Sequence, residues 1–150
     1  MPAPFRYRFR VRYQDCDGQK IVFNARWGDY VDIAATELVR AALGHPEAAD
    51  WRLVRQVLEW KRSGRFDDLL EARVTTKRIG TTSVTLATEF VRLESEVPLV
   101  TAETVYVMTD PATGRKRPVT EEERRRLADG ATPILVDCSG ANARPPGEPS

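Results

Sequence analysis

The chain has 150 residues, enough for one domain with a hydrophobic core. Apolar residues make up 41% and charged residues 30%, and a net charge of +1 gives no support for general nucleic-acid binding. Two cysteines, Cys16 and Cys138, are too few for a disulfide framework; residues 1–10 hold no apolar signal core and no run approaches the ~18 residues of a membrane span, so free thiols, a cytoplasmic setting and no membrane partner are expected.

Residues Phe5 to Tyr13 alternate. Phe5, Tyr7, Phe9, Val11 and Tyr13 share one face, and Arg6, Arg8, Arg10 and Arg12 share the other, which is the period of a half-buried strand. The arginine face reads as solvated surface, with a subunit contact or an anion-binding stripe as alternatives. Asp15 to Phe23 is a turn region, and Asn24 is the expected N-cap of a long helix. Trp27, Tyr30, Val31, Ala34, Ala35, Leu38, Ala41 and Ala42 recur at spacings of three and four, while Ile33 and Val39 widen the apolar stripe. Gly44, with Pro46 shortly after, ends the helix. His45, the only histidine, is read as a loop residue behind it.

Four strands are expected next, over 53–66, 69–79, 83–93 and 99–108, punctuated by Gly64, Asp67-Asp68, Gly80 and Glu94 to Pro98. Asp110 to Gly114 forms a turn. Thr120 and Glu123 have capping-box spacing ahead of a short charged helix, Glu121 to Ala128. Short connections favour an antiparallel sheet, and one long apolar helix needs a broad apolar surface over it. The expected class is α+β, with a curved antiparallel sheet wrapped around one central helix. The domain is expected over 1–137, with a disordered tail over 138–150.

The order strand, turn, helix brings Asp17 near a helix start, where free N–H groups and partial positive charge collect. A carboxylate there can attack or hydrate an acyl carbonyl whose oxyanion the N–H groups hold. The plain alternative is a turn residue, because Asp-Gly is a common turn dipeptide. Asp15 reads as structural, paired with an arginine of the first strand. Cys16 has no histidine nearby in sequence to activate it. One histidine and two cysteines give no metal-ligand spacing, so neither metal nor cofactor is expected. Glu37 sits at the polar edge of the long helix, and Glu59 interrupts an apolar strand. Trp27, Trp51 and Trp60 are candidates for the core or an interface.

These residues resemble the 4-hydroxybenzoyl-CoA thioesterase family of hot-dog-fold acyl-CoA thioesterases. The resemblance rests first on Asp15-Cys16-Asp17, Ile21-Val22, Phe23 to Trp27 and Tyr30. Arg65 to Leu70, Lys77 to Ser83 and Thr109 to Pro118 match the family's later turns more loosely. It covers roughly residues 5–127. There are two departures: many members carry Gly where this chain has Lys20, and others carry His or Tyr near the helix start where this chain has Asn24.

The resemblance implies hydrolysis of an acyl-CoA or acyl carrier protein thioester. It implies Asp17 as nucleophile or general base, with backbone N–H groups of Asn24 and Ala25 as the oxyanion hole. Glu37 is the fallback carboxylate, since some hot-dog thioesterases use one on the helix. Lys77, Arg78, Thr82 and Ser83 are implied contacts for the coenzyme A nucleotide or pantetheine; a polar hairpin turn is the plain alternative. A sheet over one helix leaves a long edge that invites pairing, and the resemblance implies a homodimer or homotetramer with shared sites. Two other readings compete. One is a non-catalytic acyl-CoA binding module. The other is a hot-dog hydratase, which the missing histidine in the helix-start block argues against.

Overall fold

The structure, a computed structural model, describes residues 4–44, 50–128 and 134–140. His45, Pro46 and residues 141–150 of the expected tail lie outside the described residues.

The elements run β1 (Phe5–Arg10), α1 (Arg26–Leu43), β2 (Trp51–Trp60), β3 (Leu69–Ile79), β4 (Ser83–Arg92), β5 (Pro98–Met108), α2 (Glu121–Leu127) and β6 (Leu135–Asp137). A single 3-10 turn, Tyr13–Asp15, follows β1. The strands form one sheet in the order β2-β5-β4-β3-β1-β6, antiparallel throughout except for the β1–β6 pair. The register shifts at Leu53/Arg55, Thr76/Arg78 and Phe90/Val91, and shifts of this kind bend strands. This is the hot-dog arrangement.

Helix α1 buries the residues that its period selects: Trp27, Tyr30, Val31, Ala34, Ala35, Leu38, Val39 and Ala42. They meet the inward residues of the sheet, among them Phe9, Leu70, Val74, Leu86, Phe90 and Val100. Ala34 and Ala35 keep the helix close to the sheet, and the Trp27 and Phe90 rings meet edge to face at 5.2 Å. Gly44 ends α1 in the left-handed region at φ 99°, and the N–H of Gly44 donates to the Arg40 carbonyl.

Several boundaries differ from expectation. The first strand stops at Arg10, because the chain turns through Tyr13–Asp15 to bury Asp15 against Tyr30 of α1. The second strand is Trp51–Trp60, ending before Gly64, which has no room for a side chain: a Cβ there would lie 2.9 Å from the Trp27 ring. Asn24 is not the N-cap. Ala25 holds that position with helical backbone angles, and no side chain caps the helix. Strand β6 is unexpected; three residues are too few to show a period. It carries the folded part past 137, since the Cys138 N–H donates to the Arg8 carbonyl at 2.8 Å and Ser139 is buried.

The arginine face of β1 is an ion-pair layer. Arg8 donates to Glu71 at 2.8 Å, Arg73 donates to the other Glu71 oxygen at 2.8 Å, and Arg10 reaches Asp67 at 2.9 Å. Burial alone would raise the Glu71 carboxyl, but its bonds from Arg73 and Arg8 hold it below the usual range.

Candidate active site

The segment between β1 and α1 is folded back on itself and pinned from below. Phe23 N–H donates to the Asp15 carbonyl at 2.9 Å, Cys16 pairs with Val22, and Asp17 N–H donates to the Ile21 carbonyl at 2.9 Å. The segment is tied to the β2–β3 connection by Val22 N–H on the Gly64 carbonyl at 2.8 Å and Phe66 N–H on the Lys20 carbonyl at 3.0 Å.

Asp17 sits near the tip of this loop and is exposed. Its Oδ1 accepts the Gln19 N–H at 2.8 Å, an Asx-turn. Asn24 and Ala25 form the turn before α1, and their N–H groups donate to nothing among the described residues. No hydrogen bond joins the carboxylate to that donor pair in one protomer.

Lys20 occupies the place where many members of the resembling family carry glycine, and it holds φ 62°. That region disfavours side chains by about 1–2 kcal/mol. Lys20→Gly is therefore expected to leave the loop unchanged and to raise stability, by up to about 1 kcal/mol once the greater freedom of unfolded glycine is subtracted. Chemical denaturation checks this; a loss of stability would mean that the lysine side chain contributes more than its backbone costs.

Asp15 is the structural carboxylate of the loop, 1% exposed. Its oxygens accept the Arg12 N–H at 3.1 Å, the Arg12 guanidinium at 3.2 and 3.3 Å, and the Tyr30 hydroxyl at 2.8 Å. The Arg26 Nε lies 3.6 Å away. Burial pushes the carboxyl up, but the bonds from Arg12 and Tyr30 outweigh it and hold Asp15 below the usual range. The Tyr30 hydroxyl is pushed far up, by burial first and by its bond to Asp15 second. The expected partner of Asp15 is thus present, although Arg12 lies just beyond the strand. The Tyr30 bond escaped the sequence reading, because a tyrosine at helical spacing reads only as core.

Cys16 is a poor nucleophile here. Burial and the charges of Asp15, Asp17 and Asp68 push its thiol up, away from thiolate. Glu37 pairs with Arg40 at 3.3 Å, about three turns along α1 from its start. Glu59 lies on the sheet face away from α1, opposite Thr101, and pairs with Lys61 at 3.7 Å.

Lys77, Arg78, Thr82 and Ser83 gather at the β3–β4 hairpin. Lys77 pairs with Glu103, Arg78 is exposed, and the Thr82 carbonyl accepts the Met108 N–H at 2.8 Å. Helix α2 braces this hairpin: the Val119 N–H donates to the Thr81 carbonyl at 2.9 Å, and Arg124 reaches the carbonyls of Ile79 and Gly80 at 3.1 and 3.0 Å. The Thr120–Glu123 capping box is present, and Arg117 holds Glu123 with two bonds of 2.8 Å. The hairpin lies at the opposite end of β3 from Arg10 and the Asp17 loop. Ten residue steps at ~3.3 Å put about 33 Å between them in one protomer.

The free edge of the sheet on the other side is β2. Its large apolar residues are uncovered, with Leu53 46% and Trp60 51% exposed. Trp51 stacks on Tyr106 at 4.2 Å, whereas Trp27 is core.

Comparison with known proteins gives a family and a fold. The family model described as the thioesterase superfamily matches residues 19–99, just over half the chain, beginning two residues beyond Asp17. A hypothetical protein from Aquifex aeolicus superposes with TM-score 0.75 at 22% identity, over 83% of this chain and 99% of that one. A 1,4-dihydroxy-2-naphthoyl-CoA thioesterase from Synechocystis superposes with TM-score 0.71 at 18% identity, over 82% and 94%. A gentisyl-coenzyme A thioesterase gives TM-score 0.70 at 20% identity, over 79% and 98%. At these identities the likeness is one of fold. No curated protein matches the sequence.

Proposed function

This chain belongs to the thioesterase superfamily, and from that premise we propose that it hydrolyses acyl-CoA thioesters at a site shared by two copies of the chain. The observation that carries the reading is the pair of unengaged N–H groups at Asn24 and Ala25, at the mouth of α1 and on the same loop ladder as an exposed carboxylate. In the proposed reaction these donors and the helix dipole stabilise the oxygen of the thioester carbonyl as charge develops. The Asp17 carboxylate either attacks the carbonyl carbon, expelling coenzyme A thiolate and leaving a mixed anhydride for water to open, or takes a proton from the attacking water. The products are the free acid and the thiol.

The second copy follows from strand directions. Trp60 of β2 is at the Asp17 end of the sheet, and Trp51 is at the hairpin end. Antiparallel pairing of two β2 edges sets the Trp60 end of one copy beside the Trp51 end of the other. It would bury the exposed Leu53 and Trp60, and bring the Asp17 end of one copy to the same side as the Lys77–Ser83 hairpin of the other. The hairpin's cations and hydroxyls then suit the nucleotide or pantetheine of coenzyme A.

The test is thiol release from a panel of aliphatic and aromatic acyl-CoA esters. Release above the spontaneous rate supports the reading; tight binding of the esters with no release would overturn it. That outcome would favour the binding-module alternative, to which the engagement of Asp17 with Gln19 in a turn lends some weight.

A further inference from the structure

The proposed pairing of two copies uses the β2 edge, beside one flank of α1. Asp32 faces that side, where its carboxylate accepts the Tyr106 hydroxyl of β5 at 2.7 Å. Tyr30 stands about 200° away from Asp32 at 3.6 residues per turn. On that opposite flank, Tyr30 and Ile33 of α1 and Tyr7 and Phe9 of β1 line a cavity of about 390 Å³. The C-terminal return builds its outer side: β6 pairs with β1, the Cys138 N–H donates to the Arg8 carbonyl at 2.8 Å, and Arg10 Nε donates to the Ser139 carbonyl at 3.2 Å. In the sheet order β6 is the strand farthest from β2, so joining two β2 edges leaves this cavity uncovered.

The lining divides into an apolar floor and a rim of donors. Tyr7 stacks on Phe9 at 5.4 Å, the Phe9 and Tyr30 rings meet at 4.6 Å, and Ile33 is 40% exposed. Asp15 lies at the base with both oxygens engaged, by Arg12 and by Tyr30. Arg12 gives Asp15 its Nε and one terminal nitrogen, and Arg10 gives one terminal nitrogen to Asp67 at 2.9 Å. The second terminal nitrogen of each guanidinium donates to nothing among the described residues. The Tyr7 hydroxyl likewise makes no hydrogen bond among the described residues; burial first, then the charges of Cys138 and Glu37, push it up, so it stays a neutral donor. Glu37, the next carboxylate along this face of α1, does not line the cavity and is held by Arg40 at 3.3 Å. The side-chain groups left unused are therefore donors. They suit a ligand that presents acceptor oxygens at one end and an apolar body at the other. The volume lies at the low end of small-molecule sites, which span roughly 300–1,000 Å³, so that body is one ring or a medium-length chain.

We infer that this cavity is a second ligand site, for a small carboxylic acid whose apolar body lies on the Phe9 and Tyr30 rings and whose carboxylate is held by Arg10, Arg12 and the Tyr7 hydroxyl. The existing ion pairs hold both guanidiniums in place before the ligand arrives, and bonds from a cation to a carboxylate are the strong kind. The inference goes beyond the thioesterase reading and stands apart from it, because it is read out as binding and needs no turnover.

The experiment is titration calorimetry of the full chain with octanoate and with 3-phenylpropanoate, each against its matching alcohol, 1-octanol and 3-phenylpropanol. At least one acid is expected to bind with one site per chain, about tenfold or more tighter than its alcohol. Ile33→Glu places a like charge beside the ligand on an exposed helix position and should weaken that binding by about tenfold or more. Tyr7→Phe, which keeps the ring and removes only the unused hydroxyl, should weaken it by about threefold or more and provides the test if Ile33→Glu does not fold. Bound acid should also slow alkylation of the exposed Cys138 thiol by iodoacetamide, with Cys16 as the internal reference. Four results overturn the assignment: no saturable binding of either acid, alcohols that bind as tightly, binding that both substitutions leave unchanged, or binding that leaves the Cys138 rate unchanged. None of these bears on thiol release, which tests the thioesterase reading separately.

Discussion

Asp17→Asn should lower kcat/KM for acyl-CoA hydrolysis by about 10²–10⁴, the usual range for a lost general base, and leave the fold intact. The substitution is well posed because the structural job of Asp17 is small and asparagine can do it. Asp17 is exposed, and the one hydrogen bond of its carboxylate among the described residues is the Gln19 N–H on Oδ1, which an asparagine carbonyl accepts equally well. What asparagine cannot do is attack the carbonyl or accept a proton from water. Thermal unfolding of the variant should match wild type within error. A variant that is fully active would move the chemistry to another carboxylate, with Glu37→Gln the next to make. A variant that is inactive and also unstable would show that the turn, and not the charge, had been lost.

Asp15→Ala has the largest expected effect on stability, a loss of about 2–4 kcal/mol. The carboxylate is buried, and its removal strands the Tyr30 hydroxyl, which has no other partner among the described residues. Arg12 and Arg26 are partly exposed and recover some hydration, which keeps the loss below the full cost of breaking a buried pair. For a chain of this length the melting temperature should fall by about 5–15 °C. The pH dependence has a definite sign. Folding lowers the Asp15 pKa, so the native state gains from the ionised form above the unfolded value and loses that gain as pH falls through the folded one. The stability gap between wild type and Asp15→Asn should be full near neutral pH and shrink below about pH 4. A gap that is flat from pH 7 to pH 3 would mean that the Asp15 charge contributes nothing.

These two aspartates, two residues apart, show how far the letters carry. Alternation in β1 and the period of α1 specified both elements, because burial on one face leaves a regular trace in sequence. The helix start did not follow from Asn24, a good cap by type: the chain spends Asn24 and Ala25 on a turn that leaves their N–H groups unengaged. Lys20 carries a left-handed backbone that its type does not advertise. Strand β6 was hidden because its pairing with β1 depends on a crossover from α2 and not on its own three residues. The separation of Asp17 from the Lys77–Ser83 hairpin was equally invisible. Both motifs look alike in a linear reading, and only strand directions place them at opposite ends of the sheet.

The most direct measurement is complementation between Asp17→Asn and Arg78→Glu, each expected to be inactive alone, co-refolded and assayed for thiol release. A site that takes Asp17 from one copy and the hairpin from the other is intact once in each hybrid dimer, so the mixture should recover about a quarter of the wild-type rate. A mixture no more active than its two components would contradict a catalytic centre built across two copies of the chain.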